Sequence, residues 1–339
     1  MKRVFLVTIL AIFATNFSYG QELELTQCTN GKYGYKNSKT GAMVIPCQYD
    51  VAWGFQDGLA GVGIAYSGQG GCAGDYKKGF IDKTGKVVIP LKYDYISEWN
   101  LYSDKGYFSE EGLAVVSIGV RLGCEYDIYG GKWGFVDKTG REVVPLKYDF
   151  AQTFKEGLAV VIQNEKCGFI DKTGKEVIPL KYDGARGFIE GLAIVRLNSK
   201  YGFIDKAGKL VIPFRYDHIS AFSDGYVVSI GKSGLIDKKG REIIPFKYDE
   251  ISDFPEGYAA VRIGEYDIGK WGFIDKTGKE VIPLEYDNVA LSEYDGSLEF
   301  FEGTVAVSQN GKWGVITMNG TVVVPFKYDS QHEAQNAKL

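Results

Sequence analysis

Histidine is almost missing from this chain: there are two among 339 residues, His218 and His332. His218 stands alone after Tyr216-Asp217, and His332 lies in the polar stretch 330–339. No His/Cys grouping has metal-ligand spacing, so no metal site is expected. No Gly-x-Ser-x-Gly elbow and no phosphate-binding loop occur. Hence no cofactor is expected, no catalytic residue is assigned, and the chain does not read as an enzyme. Basic charge is not in excess, with 39 Lys and Arg against 43 Asp and Glu, a net charge of −4. With no basic patch, nucleic acid is an unsuitable partner. Helical periodicity is lacking too, since no stretch holds apolar residues at roughly 3.6 spacing for three turns. The one long apolar run, residues 4–13, falls short of the about 20 residues that cross a bilayer.

That run follows Met1-Lys2-Arg3 and precedes Ser18-Tyr19-Gly20. A charged start, a short apolar stretch and small residues before a cut are the pattern of a secretory signal, residues 1–20. An exported protein is expected, in the periplasm, at the cell surface or secreted, and not spanning the membrane. Cysteine is scarce and odd in number, five in all. An oxidising compartment allows disulfides. Cys72 and Cys124, in glycine-rich insertions of adjacent units, are one candidate pair, and Cys28 with Cys47, in one unit, is another. Cys167 stands where other copies carry Trp or Tyr and reads as a buried thiol.

What the chain has in abundance is one motif written eight times. Trp133-Gly134-Phe135-Val136-Asp137-Lys138-Thr139-Gly140, then Pro145, then Tyr148-Asp149, is its clearest copy. Its first glycine recurs at Gly34, Gly79, Gly134, Gly168, Gly202, Gly234, Gly272 and Gly314, each followed by a proline and then by Tyr-Asp. The mean spacing of about 40 residues marks a repeat architecture in which each unit hides its apolar face against its neighbours. The array spans residues 21–329, with a polar tail at 330–339.

Residues 154–182 show how one unit is built. Residues 157–162 and 167–171 form β-branched runs, 172–175 a turn, and 176–179 a third run, giving a three-stranded antiparallel meander. Gly174 and its counterparts supply the positive φ of a short turn. Pro179 is expected to end the third strand or to lie on an edge. Gly168 is expected to admit a close neighbour, an aromatic ring being the candidate. The segment after Tyr-Asp is a short fourth strand or a packed connection, and the aspartate is expected to cap its own turn. The fold is therefore all-β, with eight repeated three- to four-stranded antiparallel units. The spacing favours a β-propeller-like closed ring, with an open β-superhelix or solenoid as the alternative.

These residues resemble the WG, or KWG, repeat family of bacterial proteins over roughly residues 30–329. Lys132-Trp133-Gly134, Lys270-Trp271-Gly272 and Lys312-Trp313-Gly314 match the namesake motif. Tyr33, Lys78, Cys167, Tyr201 and Ser233 replace the tryptophan elsewhere, while the glycine stays. The resemblance implies a structural or interaction repeat and carries no catalytic residues.

Asp-Lys-Thr-Gly also resembles the phosphorylated-aspartate motif of P-type ATPases. Near-copies at Asp82, Asp137, Asp171, Asp205, Asp237 and Asp275 mark it instead as turn chemistry. Candidate function lies where the copies disagree. Insertions 98–111 and 293–302 carry Trp99, Tyr102, Tyr107, Phe108, Tyr294, Phe300 and Phe301, and insertions in a repeat array are expected on one face, often the binding face. Their alternative is packing by their own aromatics. Tyr126-Asp127 and Tyr266-Asp267 recur ahead of two Lys-Trp-Gly motifs and form a second candidate contact. The expected function is non-enzymatic binding or scaffolding of a protein or peptide. An envelope glycan is the alternative ligand, and glycan hydrolysis is a third reading.

Overall fold

The computed structural model describes residues 23–66, 76–96, 107–122, 128–222, 225–265, 268–292 and 298–337. Strand after strand forms, all pairs antiparallel, in eight separate sheets, none of which closes on itself among the described residues. In the fifth unit Gly184–Ala185, Leu192–Leu197, Lys200–Asp205 and Leu210–Tyr216 pair in that order. The first unit has three strands, Leu23–Gln27, Tyr33–Asn37 and Met43–Tyr49. The chain divides into two compact bodies, Met1–Thr153 and Phe154–Leu339.

The short fourth strand is real, but it belongs to the next unit. Leu210–Tyr216 closes the fifth sheet, Asp217 follows, and His218–Phe222 opens the sixth. One residue, the aspartate of Tyr-Asp, thus separates two sheets. The apolar clusters straddle these junctions. Phe169, Ile178 and Tyr182 of the fourth unit pack with Phe188, Ala193, Val195 and Ile204. In the first body, Phe80, Ile89 and Tyr93 pack with Ile96, Ala114, Val116 and Val136. Each sheet has too little apolar surface to bury alone, so the seam between neighbours is the core.

Of the two readings of the proline, the edge position is the one the structure has. The third strand does not end at its proline: Glu176–Tyr182 runs through Pro179, and Glu142–Tyr148 through Pro145. It survives because it is the edge strand and because it bulges there. Between the pairs Trp133↔Tyr148 and Phe135↔Val144 the third strand uses two more residues than its partner. The bulge also explains the conserved glycine. A Cβ on Gly134 would stand 2.5 Å from the Val144 carbonyl oxygen and 2.9 Å from the Pro145 carbonyl carbon. The close neighbour is therefore the backbone of the third strand, not an aromatic ring. A ring comes near as well at Gly202, Gly234 and Gly314, from Phe214, Phe246 and Phe326.

The Asp-Lys-Thr-Gly segments are turns, as the sequence predicts. Asp171 Oδ1 accepts from the Thr173 N–H at 2.9 Å, the Thr173 hydroxyl at 2.6 Å and the Lys175 N–H at 3.1 Å. Each unit after the first is entered through an acid-Gly pair. Glu156-Gly157 and Glu190-Gly191 both have positive φ at both residues, the two-residue hairpin turn whose twist matches the strands. Residues 330–339 were read only as a polar tail, yet Gln331–Asn336 is a helix. Ser330 caps the helix, its hydroxyl accepting from the Glu333 N–H at 3.2 Å, and Glu333 reaches back to accept from the Asp329 N–H at 3.2 Å, a variant of the capping box shifted by one residue. Ala334, fully buried, packs against Ala290, Ala306, Val315 and Val324.

Candidate interaction face

Within every unit the antiparallel register fixes two opposite ends. In the fourth unit Leu158 pairs with Asp171, so the acid-Gly entry lies beside the Asp-Lys-Thr-Gly turn. Gln163 pairs with Lys166 at the other end, where the first strand turns into the second. The insertions therefore do not share one face. Those at 98–111 and 293–302 join a short strand to a first strand, at the acid-Gly end. The stretches 66–75, 123–127 and 264–269 join first to second strands, at the Lys-Trp-Gly end.

The acid-Gly end is sealed by contacts within each body. Lys206 reaches Glu156 Oε2 at 3.1 Å, Lys238 pairs with Glu190, and Lys138 reaches Asp57 Oδ2 at 2.9 Å, each lysine coming from the unit after its acid. Insertion residues fold back onto this end. Tyr107, 7% exposed, donates its hydroxyl to the Gly54 carbonyl at 2.9 Å and stands edge-on to Phe80. Phe108 packs on the same ring, and Lys138 lies over Phe108. Leu298 is buried, and Phe300 packs against the cluster of Trp271, Phe273 and Val305. Tyr107 is thus buried in the seam and Phe300 is partly buried against it, the alternative in which the insertion aromatics pack rather than face a ligand. Trp99, Tyr102, Tyr126, Asp127, Tyr266, Asp267, Tyr294 and the Cys72–Cys124 pair lie outside the described residues.

The Lys-Trp-Gly end is built around an ion pair present in all eight units. Lys132 reaches Asp149 Oδ1 at 2.7 Å, Lys166 reaches Asp183 at 2.7 Å, Lys200 reaches Asp217 at 2.5 Å and Lys312 reaches Asp329 at 2.5 Å. Lys32–Asp50, Lys77–Asp94, Lys232–Asp249 and Lys270–Asp287 complete the set. The second carboxylate oxygen reaches forward into the next unit. Asp50 accepts from the Ala65 N–H at 2.8 Å, Asp94 from Gly119 at 2.6 Å, Asp183 from Asn198 at 2.7 Å, Asp249 from Gly264 at 2.8 Å and Asp287 from Gly311 at 3.2 Å. This corrects the expectation that the aspartate caps its own turn. It fastens the lysine of one unit to the root of the next unit's hairpin. The lysine ammonium beside them holds the carboxyls of Asp50, Asp183, Asp217, Asp249 and Asp287 below their ordinary value, and the backbone N–H groups add to the effect.

Beneath this end lie the residues before the repeat glycine. Trp133 is 1% exposed, between Tyr95 and Phe150, and Trp271 is buried as well. Trp313 packs in the last cluster. Trp133 and Trp271 are thus packed inside their units, and Gly134, Gly272 and Gly314 lie against the backbone of the third strand. Cys167 takes the same place as a buried thiol, and burial pushes its pKa up. Lys78 does so too, with its ammonium pushed down by burial. In the first unit the sulfurs of Cys28 and Cys47 are joined.

Each body carries exposed aliphatic side chains at this end of its units, Ile64 and Ile118 in the first and Ile230, Ile263 and Ile268 in the second. Ile64, Ile118, Ile230 and Ile263 are 45%, 37%, 43% and 41% exposed, and Ile268 is 76% exposed. Each of the first four stands on a first strand opposite the bridging lysine of its unit. The fourth and eighth units, whose hairpins turn in two residues, carry Gln163 and Gln309 there.

Repeated four-stranded units, sharing their seams and stapled lysine to aspartate, define a β-repeat scaffold. The profile described as "WG containing repeat" matches residues 33–64, 79–100, 133–167, 168–201, 201–228, 234–266, 271–313 and 313–330. The chain belongs to this family. No curated protein matches it. Among solved structures it is similar to a eukaryotic initiation factor, at 11% identity and a TM-score of 0.38, covering 89% of this chain and 84% of that one. The AfRom2 CNH domain follows at 10% identity and 0.30, covering 62% and 80%. KlHsv2 with a replaced loop stands at 8% and 0.34, covering 77% and 89%.

Proposed function

We propose that the protein is an exported, non-enzymatic scaffold that presents the hairpins of its Lys-Trp-Gly end to a protein or peptide partner. The observation that carries this reading is the exposure of Ile64 and Ile118 in the first body, and of Ile263 and Ile268 in the second, aliphatic side chains left in water beside the hairpins of their own units. Exposed apolar residues rimmed by ion pairs suit burial under a protein surface. The second reading, an envelope glycan, would use aromatic faces, and the described insertion aromatics Tyr107 and Phe300 are turned into the seams. Export is supported by the signal-like residues 1–20 and by the Cys28–Cys47 disulfide, which persists in an oxidising compartment.

We also propose that the repeats form an open array, the alternative to a closed ring. The helix Gln331–Asn336 covers the face of the last sheet on which another unit would pack.

The test replaces residues 66–75 by Asn-Gly in one variant and both Ile64 and Ile118 by Lys in another. Each variant should keep the circular dichroism and melting of the parent. Both should lose the protein that the parent cross-links in an envelope extract. Retention of that partner by both variants would sink the reading. Glycan-array binding that disappears in Trp99→Ala or Tyr102→Ala would favour the second reading. Glycan hydrolysis abolished by one carboxylate-to-amide change would overturn the non-enzymatic assignment.

A further inference from the structure

One contact recurs in several seams, though not in the last, where a Cβ on Gly320 would meet nothing within 4 Å. The turn glycine of a unit rests on the branched residue before the proline of the unit ahead of it. A Cβ on Gly85 would stand 3.4 Å from Ile45, on Gly208 3.3 Å from Ile178, on Gly240 3.2 Å from Ile212 and on Gly278 3.1 Å from Ile244. In the last seam Met318 packs on the cluster of Ile282 in place of this contact. The branched residue of the eighth unit is Val324, and no further repeat stands over it among the described residues. Val324 is nevertheless only 4% exposed, because Ala334 of the terminal helix lies on it together with Ala290, Ala306 and Val315. The helix is held there by its own cap and by Gln335 donating to Glu299 Oε2 at 3.3 Å.

The first unit carries the complementary half of the contact. Its turn has the common chemistry, with Asn37 Oδ1 accepting from the Lys39 and Thr40 N–H groups at 2.9 and 2.8 Å. Gly41 has the common positive φ of 71°, yet a Cβ on it would meet nothing within 4 Å. From this we infer that the terminal helix is an end cap that competes for a docking site, and that the site's other occupant is the first unit of a second copy of this chain. The interface would continue a seam the molecule already uses within itself. A head-to-tail contact of this kind adds copies without closing, so the helix acts as the stop that keeps the protein from stringing into chains.

The test is sedimentation velocity across a hundredfold range of concentration on the mature chain and on a variant lacking residues 330–339. The parent should hold one mass throughout. The truncated chain should form dimers and larger species whose share rises with concentration. Gly41→Asn in the truncated chain should restore a single mass. Asparagine tolerates positive φ but puts a carboxamide where the seam admits only a hydrogen. Two further variants keep all residues in case truncation unfolds the last unit. Ala334→Glu should drive the helix off and reproduce association, and Ala334→Gly should do so to a smaller extent. A truncated or Ala334→Glu chain that keeps its β-sheet circular dichroism and stays monomeric would overturn the inference, whether or not it becomes more compact. Association that survives Gly41→Asn would overturn the first unit as the occupant.

Discussion

A methyl group added at Gly134 would have to push the Val144–Pro145 backbone away from a sheet it is bonded to. Gly134→Ala should therefore cost about 1–3 kcal/mol, read as a lowered midpoint in urea. A glycine outside the seam, such as Gly157, offers a contrast: nothing lies within 4 Å, but its φ of 88° makes backbone strain the whole penalty. The two halves of the ion pair should differ. Lys232 is partly in water, so Lys232→Met should cost well under about 1 kcal/mol. Asp249→Ala also strips the Gly264 N–H of its acceptor and should cost about 1–2 kcal/mol. Hydrogen exchange at the Gly264 amide should accelerate in the second variant and not in the first. Acid should act on the same carboxyls. Their folded pKa values lie below the ordinary 3.8, so the stability they add is complete above that value. It disappears as pH falls through the lower, folded values, because the unfolded chain then takes up protons first. Melting temperature should thus be flat down to about pH 5 and fall steeply below about 4. Sequence showed which glycines matter, but not what each one meets. A bulge that lets two extra residues arch over a glycine leaves no mark on the alternation of apolar residues. The bridging lysine was in plain view, present in all eight units while tryptophan stands in three. It escaped notice because a lone lysine in a strand looks like ordinary solvent-facing charge.

Among the elements, the first sheet is built differently from the rest. It has three strands, and its extra tie is covalent, with Cys28 and Cys47 closing a loop of 19 residues. Cross-linking a loop of that length restricts the unfolded chain by about 3 kcal/mol. Reduction, or Cys28→Ser with Cys47→Ser, should accordingly lower stability by about that amount, and limited proteolysis should cut first near residues 28–31. The three-stranded core of each unit was legible from β-branched runs bounded by glycine turns. The short strand was legible only as an option, because two residues carry no period. That it starts the following sheet could not be read at all, since pairing partners far along the chain are chosen by seam packing. The terminal helix had a readable cap in Ser330 and Glu333, but six residues are too few for a face to show.

At the scale of the molecule the apolar core is a series of clusters, each shared by neighbouring units, and not a single interior. Such arrays unfold as a chain of coupled units. Urea unfolding followed by circular dichroism should therefore give a shallower slope than a single cooperative domain of this length, and tryptophan fluorescence, weighted to Trp133 and Trp271, should not coincide with it. The repeat count and the all-β class followed directly from sequence. Whether an insertion aromatic is displayed or folded back did not, because the two look alike in sequence, and for Tyr107 it is the hydroxyl on the Gly54 carbonyl that shows the ring folded back. The lysine–aspartate pair has one more consequence. In five units the hairpin root is held through a backbone N–H by the aspartate ahead of it, so the anchor is indifferent to the side chains of the hairpin. Segments can be lengthened, shortened or exchanged between units without rewriting their supports. The molecule is thereby preadapted to diversify, and open to grafting of foreign peptides at several places at once.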